Sequence, residues 1–223
     1  MGLINKKYKG AIFDLDGTLL DSMQVWVNVD QLFLGRRNIP VPPDYLGEIG
    51  KLAYYEAALY TIDRFHLQEK PEELIQEWHQ DALIQYRDQV QLKEGSYQFL
   101  KFLKMNDIPF SVATASDPEL YALTLKRNNV FDMFHSFTDL KETGTSKGEP
   151  DIYLKAAEKM DLKPEECVVF EDILPGIRAA KKVNFHTVAV YDLYASGTEK
   201  EFIKEADIYI KDFNDPRIKE LFV

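Results

Sequence analysis

Apolar positions along the chain follow two different periods. The run Tyr8-Lys-Gly-Ala-Ile-Phe13 is short, mostly apolar and ends abruptly at Asp14 and Asp16, the pattern of a strand buried inside a parallel sheet. From Met23 to about Gln91 the period is helical. Trp26, Val29 and Phe33 share one face, Tyr54, Ala57, Ala58 and Ile62 a second, and Leu74, Ile75, Trp78, Ala82 and Tyr86 a third. Pro40, Pro42, Pro43 and Pro71 punctuate this stretch and Gly35 and Gly47 suit helix ends, which predicts roughly four helices. After Leu92 short apolar runs return, separated by helical patterns. A helix over Gly95–Met105 precedes a strand over Pro109–Ala113 that ends at Thr114, and a helix after Pro118 precedes a strand over Met133–Phe137. Asp151–Met160 reads as a helix, Cys167–Phe170 as a strand ending at Glu171-Asp172, and Pro175–Lys182 as a helix. Strands over Thr187–Val190 and Ile208–Ile210 precede an amphipathic tail. Strands and helices in alternation build βαβ units. The predicted architecture is α/β: a Rossmann-like parallel-sheet core from residues 1–21 and 92–223, interrupted by an inserted all-helical cap over residues 22–91.

Composition narrows the partners. The chain has 223 residues, enough for a substantial core, and a net charge of −10. Nucleic acid and anionic membrane surfaces need a basic face, so neither is expected, and an anionic substrate would require a local cation. The single cysteine, Cys167, lies within an apolar run and reads as a small buried hydrophobe, which suits a reducing cytoplasm. Lys6, Lys7 and Lys9 are not followed by an apolar stretch, and no run approaches the ~18 apolar residues of a spanning helix, so neither export nor membrane insertion is expected. His66, His79, His135 and His186 are too scattered to form a metal site. A monomer is the default.

Candidate chemistry concentrates where strands end. In open α/β sheets ligands bind beyond the carboxyl ends of the strands, and Asp14 and Asp16 sit there. Two acids so close repel unless a cation neutralises them, and a hard divalent ion with oxygen ligands, Mg²⁺, meets that need. An ionised aspartate requires no activating base, so Asp14 is the candidate nucleophile toward phosphorus, and Asp16 the candidate acid and base for the leaving alkoxide and the incoming water. Gly17 permits a sharp turn, and Thr18 either secures that turn or is structural. Thr114 offers a hydroxyl, and Ala115 and Ser116 offer backbone N–H groups toward a phosphate. Asp117-Pro118 then caps a helix aimed at the same place. Lys147, in a polar loop ahead of the helix at Pro150, is the fixed cation that a phosphate site in so acidic a protein needs. Glu171 and Asp172 end a buried strand, which is costly unless they face a cation. Asp172 is expected to bind the metal directly, Glu171 either directly or as an acceptor around it, and Asp151 either orients Lys147 or caps its helix.

These motifs, in this order, resemble the haloacid dehalogenase-like superfamily of phosphotransferases. The resemblance rests on Asp-Leu-Asp-Gly-Thr at 14–18, a strand ending at Thr114, Lys147 with Pro150-Asp151 beyond it, and the acidic pair at 171–172 followed by Pro175-Gly176. A helical insert directly after the first motif is similar to the branch with an α-helical cap, which includes β-phosphoglucomutase and many sugar-phosphate phosphatases. Attack by Asp14 gives an aspartyl-phosphate that water then cleaves, and the resemblance implies that the backbone carbonyl of Asp16 also binds Mg²⁺ beside Asp14 and Asp172, with Glu171 left as a ligand or an acceptor around it. The dehalogenase and phosphonatase branches replace the second carboxylate, so Asp16 points to phosphoester chemistry. The β-phosphoglucomutase pattern has a histidine ten residues beyond the general acid, where Trp26 stands here, and a Gly-x-Ser-Arg-like cap motif where this chain has Gly50-Lys-Leu-Ala-Tyr54. It also has a bulkier aliphatic residue in place of Thr18. Hydrolysis of a small phosphorylated metabolite, such as a sugar phosphate, is therefore expected. A phosphosugar mutase and a non-catalytic phosphometabolite-binding relative are the alternatives. Trp26, Lys51, Tyr54, Tyr55 and Arg64 are the cap residues available to face a substrate.

Overall fold

Most of the apolar runs become strands of one sheet. The structure, a computed structural model, describes residues 7–49, 52 and 54–223. The chain divides into two units, one built from the segment ending at Ser22 together with Gln91–Val223, the other from Met23–Val90. Its strands are β1 (Gly10–Phe13), β2 (Leu20–Asp21), β3 (Gln91–Leu92), β4 (Phe110–Thr114), β5 (Phe137–Asp139), β6 (Cys167–Glu171), β7 (His186–Val190) and β8 (Ile208–Ile210). The sheet order is β5-β4-β1-β6-β7-β8, and every pairing is parallel. β1 is therefore central, with Phe13 paired to Val112 on one side and Phe170 on the other. All four of its residues are buried, as a strand covered on both faces requires. β2 and β3 form a separate antiparallel ribbon with Leu20 opposite Leu92.

The second unit contains α1 (Gln24–Arg36), α2 (Tyr45–Ile49), α3 (Tyr54–Phe65) and α4 (Pro71–Asp88). α4 packs on both α1 and α3, and Phe33 meets Trp78 edge to face with centroids 5.6 Å apart. The buried residues of α1 are Val25, Val29, Asp30, Phe33 and Leu34, so Val29 and Phe33 of the predicted face are buried and Val25 takes the place expected of Trp26. Trp26 is consequently half-buried against the ring of Tyr54. At the end of α1, Arg36 bonds Glu77 and Asp81 and Arg37 bonds Glu69 and Glu77, joining helices that the apolar stripe already packs. Asp30 is the exception in this core. Burial pushes its carboxyl up to about 7, opposed by a hydrogen bond from Tyr45, whose hydroxyl also lies 2.8 Å from Thr61 Oγ1. An acid raised on folding holds its proton in the folded chain at pH values where the unfolded chain has released it. The contribution of Asp30 to stability is therefore greatest below about pH 4 and is lost as pH rises to about 7. Asp30→Asn should match the parent protein near pH 4.5 and exceed it by about 3 kcal/mol near pH 7.5, as read by urea denaturation at the two pH values.

The first unit adds α5 (Ser96–Met105), α6 (Pro118–Arg127), α7 (Leu140–Thr143), α8 (Asp151–Lys159), α9 (Leu174–Lys182), α10 (Glu199–Glu205) and α11 (Arg217–Glu220). Alternate residues of β1 face opposite layers. Phe13 stacks on Phe170 at 4.7 Å and meets Phe99 of α5 and Phe213. Ile12 joins Ala113 and Val169 under Ile152, Tyr153 and Ala156 of α8 and Ala179 and Ala180 of α9. The predicted strand over Met133–Phe137 begins only at Phe137. Residues Phe131–Met133 form a 3₁₀ turn, and Phe134 packs edge-on against Phe110 at 5.1 Å. α10, not foreseen, starts with a reciprocal Thr198/Glu201 capping box. Cys167 is buried, and burial pushes its thiol up to about 12. Among the described residues, no helix is long and apolar enough to cross a membrane.

Candidate active site

β4, β1 and β6 are adjacent and parallel, so the residues that end them share one edge. Asp14 follows β1, Thr114 closes β4, and Glu171 closes β6 with Asp172 next in line. The chain leaves β1 toward β4 and β5 on one side and toward β6, β7 and β8 on the other. The crevice at such a reversal is where open α/β sheets bind ligands.

Lys147, in the loop ahead of α8, brings a cation to this edge. Its ammonium pairs with Asp14 Oδ1 and, at 2.6 Å, with Glu171 Oε1. Burial alone would lower the lysine pKa, but the carboxylates of Asp14, Glu171 and Asp172 outweigh burial and hold it above that of free lysine. Thr18 Oγ1 donates to Asp172 Oδ1 at 2.8 Å and lies 3.3 Å from Asp14 Oδ2, so this buried hydroxyl spans the two carboxylates. Gly17 has φ of 80°, and a Cβ there would collide with the Asp172 carboxylate, so both conformation and space require glycine. Glu171 is fully buried, and four donors hold it. Oε1 accepts from Lys147 and from Tyr153 Oη at 2.8 Å, and Oε2 from the N–H groups of Asp172 at 2.9 Å and Ile173 at 3.1 Å.

Carboxylate oxygens of Asp14, Glu171 and Asp172 lie within 4.8 Å of one another. Burial raises the pKa values of Asp14 and Asp172, the Glu171 carboxylate raises both further, and Asp14 adds to the rise of Asp172. Lys147 opposes the shift without cancelling it. One ammonium against three buried carboxylates leaves two positive charges wanting. A hard divalent cation with oxygen ligands fits that deficit in both charge and donor chemistry.

The remaining candidates fall into two groups. Asp16 is half-buried and accepts from Ser22 Oγ at 2.6 Å. Thr114 is buried, and its Oγ1 accepts the Ser116 N–H at 3.1 Å, so that amide, expected to face a phosphate, is engaged within its own loop. Asp117 caps α6 through the Glu119 N–H at 2.9 Å. Asp151 is exposed as the first residue of α8, with Pro150 in the cap position. In the helical unit Tyr54 and Tyr55 are exposed, and Arg64 pairs with Asp44 at 2.8 Å. Lys51 lies outside the described residues, as do Gly50 and Ala53 of the Gly50–Tyr54 segment. Two residues at the site were not anticipated. Ser22 follows Asp21 in what reads as a turn, and Tyr153 falls on the apolar period of α8 and reads as core.

The family model for haloacid dehalogenase-like hydrolases matches residues 8–184, which include every residue gathered at this edge. The chain belongs to the haloacid dehalogenase-like hydrolase family. A Drosophila melanogaster relative named "probable pseudouridine-5′-phosphatase" is 28% identical over 193 residues, covering 84% of this chain and 83% of the relative. The phosphorylated carbohydrates phosphatase of Thermotoga maritima is 24% identical over 181 residues, covering 81% and 83%. Among solved structures, β-phosphoglucomutase from Clostridium difficile matches with a TM-score of 0.72 at 19% identity over 96% of this chain and 97% of that one. Likeness at that identity shows the fold, and it agrees with the parallel-sheet core and helical cap expected of a haloacid dehalogenase-like hydrolase with this motif order.

Proposed function

We propose that this hydrolase is a phosphatase of small phosphorylated metabolites, sugar phosphates foremost, acting through an aspartyl-phosphate on Asp14. The observation that carries this reading is the buried ion group of Lys147, Asp14, Glu171 and Asp172 at the switch point of a parallel sheet. Phosphoryl transfer needs an in-line nucleophile, positive charge around the transferring oxygens and a proton for the leaving group. Asp14 attacks phosphorus, the ester oxygen leaves with a proton from Asp16, and water deprotonated by Asp16 then cleaves the acyl phosphate. Lys147 and Thr114 hold the phosphate oxygens, with the backbone N–H of Ala115. Asp14, Asp172 and the carbonyl of Asp16 would hold Mg²⁺, whose charge would offset that of the phosphate and the clustered carboxylates. Glu171, with its four protein donors, anchors Lys147. The phosphatase names of the sequence relatives support hydrolysis over mutation, as does Trp26 at the position where the mutase pattern has histidine.

The test is turnover of para-nitrophenyl phosphate and of a panel of phosphorylated sugars and nucleotides, read as phosphate release. Excess EDTA should lower the rate at least ~100-fold and Mg²⁺ restore it. Mg²⁺ at about 100 times its Kd should also raise stability by about 2.7 kcal/mol, a shift in thermal midpoint that needs no substrate. Interconversion of β-glucose 1-phosphate and glucose 6-phosphate faster than phosphate release would overturn the phosphatase reading.

A further inference from the structure

We propose that Tyr153 is a positioning residue for phosphoryl transfer: its hydroxyl fixes the Glu171 carboxylate that aims Lys147 at Asp14. The inference rests on the phosphatase reading and adds to it a residue that no motif of the family resemblance includes.

The argument separates the ring of Tyr153 from its hydroxyl. The ring belongs to the core beneath α8, packed with Ile152, Ala156 and Phe185, and a phenylalanine would fill that space equally well. The hydroxyl has another use. It donates to Glu171 Oε1 at 2.8 Å, the same oxygen that accepts Lys147 Nζ at 2.6 Å. The two backbone N–H groups hold Oε2 and the phenol and the ammonium hold Oε1, so both oxygens of the carboxylate are fixed by two donors each. Without the phenol, Oε1 keeps Lys147 alone, and the two side chains can shift as a pair. Burial, followed by the charge of Glu171, pushes the phenol well above its ordinary pKa, so it remains a donor throughout the working pH range.

Helix α9 closes the other side. A Cβ on Gly176 would stand 2.5 Å from Tyr153 Oη and 2.8 Å from Glu171 Oε1, closer than real side-chain contacts allow. The glycine lets backbone approach the bonded pair closely, and Tyr153 and Glu171 are both fully buried.

Tyr153→Phe, Glu171→Gln and the double variant, compared with the parent, test this. Tyr153→Phe should lower kcat/KM for para-nitrophenyl phosphate about tenfold, and less than about twofold when added to Glu171→Gln, because the residue acts only through that carboxylate. Gly176→Ala, which presses on the same bond from α9, should reproduce the loss. A purely structural tyrosine predicts losses that multiply in the double variant, and that result would overturn the inference. So would a Tyr153→Phe chain that fails to fold. If the parent hydrolyses no phosphomonoester, the phosphatase reading falls and the role of Tyr153 in phosphoryl transfer with it, leaving only the coupling of Tyr153 to Glu171 and Lys147. The same four proteins in urea denaturation then decide: midpoint shifts smaller in combination than their total support the coupling, and additive shifts end it.

Discussion

Asp14→Asn is expected to lower phosphate release from para-nitrophenyl phosphate by at least ~10³-fold while leaving the far-ultraviolet circular dichroism unchanged. The carboxamide is nearly isosteric with the carboxylate and keeps an acceptor toward Lys147, but it cannot form an acyl phosphate. Stability should hold, because the substitution removes one of three mutually repelling buried charges, although Lys147 retains only Glu171 as a full charge partner. Asp16 supplies the contrast. It is half-buried, and Asp16→Asn removes a proton donor rather than the attacking atom, so its loss should shrink with substrates whose leaving group needs no proton. Para-nitrophenolate is such a leaving group and a sugar hydroxyl is not. An Asp14→Asn rate within tenfold of the parent would remove Asp14 as nucleophile and the aspartyl-phosphate with it.

Much of this site was legible because buried strands announce their own ends. An apolar run such as Cys167–Phe170 has nowhere to place Glu171 and Asp172 except at the end of its strand, and parallel topology then sends Asp14, Thr114 and Glu171 to one edge. That Lys147 reaches this edge was legible for a different reason: the expectation that an anionic substrate in a chain of net charge −10 needs a fixed cation. Pairing was not legible. Nothing in the sequence says that Thr18 turns toward Asp172 or that Tyr153 reaches Glu171. A threonine in a tight turn and a tyrosine on the apolar stripe of a helix each have a sufficient local explanation. The same limit applies to Asp30, a carboxylate on the buried stripe of α1 whose partner Tyr45 comes from another helix. β2 and β3, two residues each, are too short to show a period. α10 did carry a signal, Thr198 with Glu201, but the low apolar content of Glu199–Glu205 concealed the helix behind it.

Lys147→Met should affect both activity and fold, and the two effects share one cause. Lys147 is the only cation in contact with Asp14 and Glu171 among the described contacts, and its side chain is 11% exposed, so solvent does little to replace it. Removing it leaves uncompensated buried charge, for which about 3–5 kcal/mol of lost stability at pH 7.5 is the expected scale when measured by urea denaturation in EDTA. The pH dependence identifies the cause. Folded-state pKa values of Asp14 and Asp172 already lie above their unfolded values, and loss of the ammonium raises them further. As pH falls the folded carboxylates take up protons before the unfolded ones do, so the gap between variant and parent should narrow toward pH 5 and widen again on returning to pH 7.5. Mg²⁺ should recover part of the stability at pH 7.5, since added positive charge meets the same deficit. Activity should not recover with it. The transferring phosphoryl oxygens lose a fixed cation that binds them through the transition state, and kcat/KM should fall by roughly 10²–10³-fold even with Mg²⁺ present. A stability loss independent of pH would show that Lys147 acts by packing, and the electrostatic account of the whole ion group would fail with it.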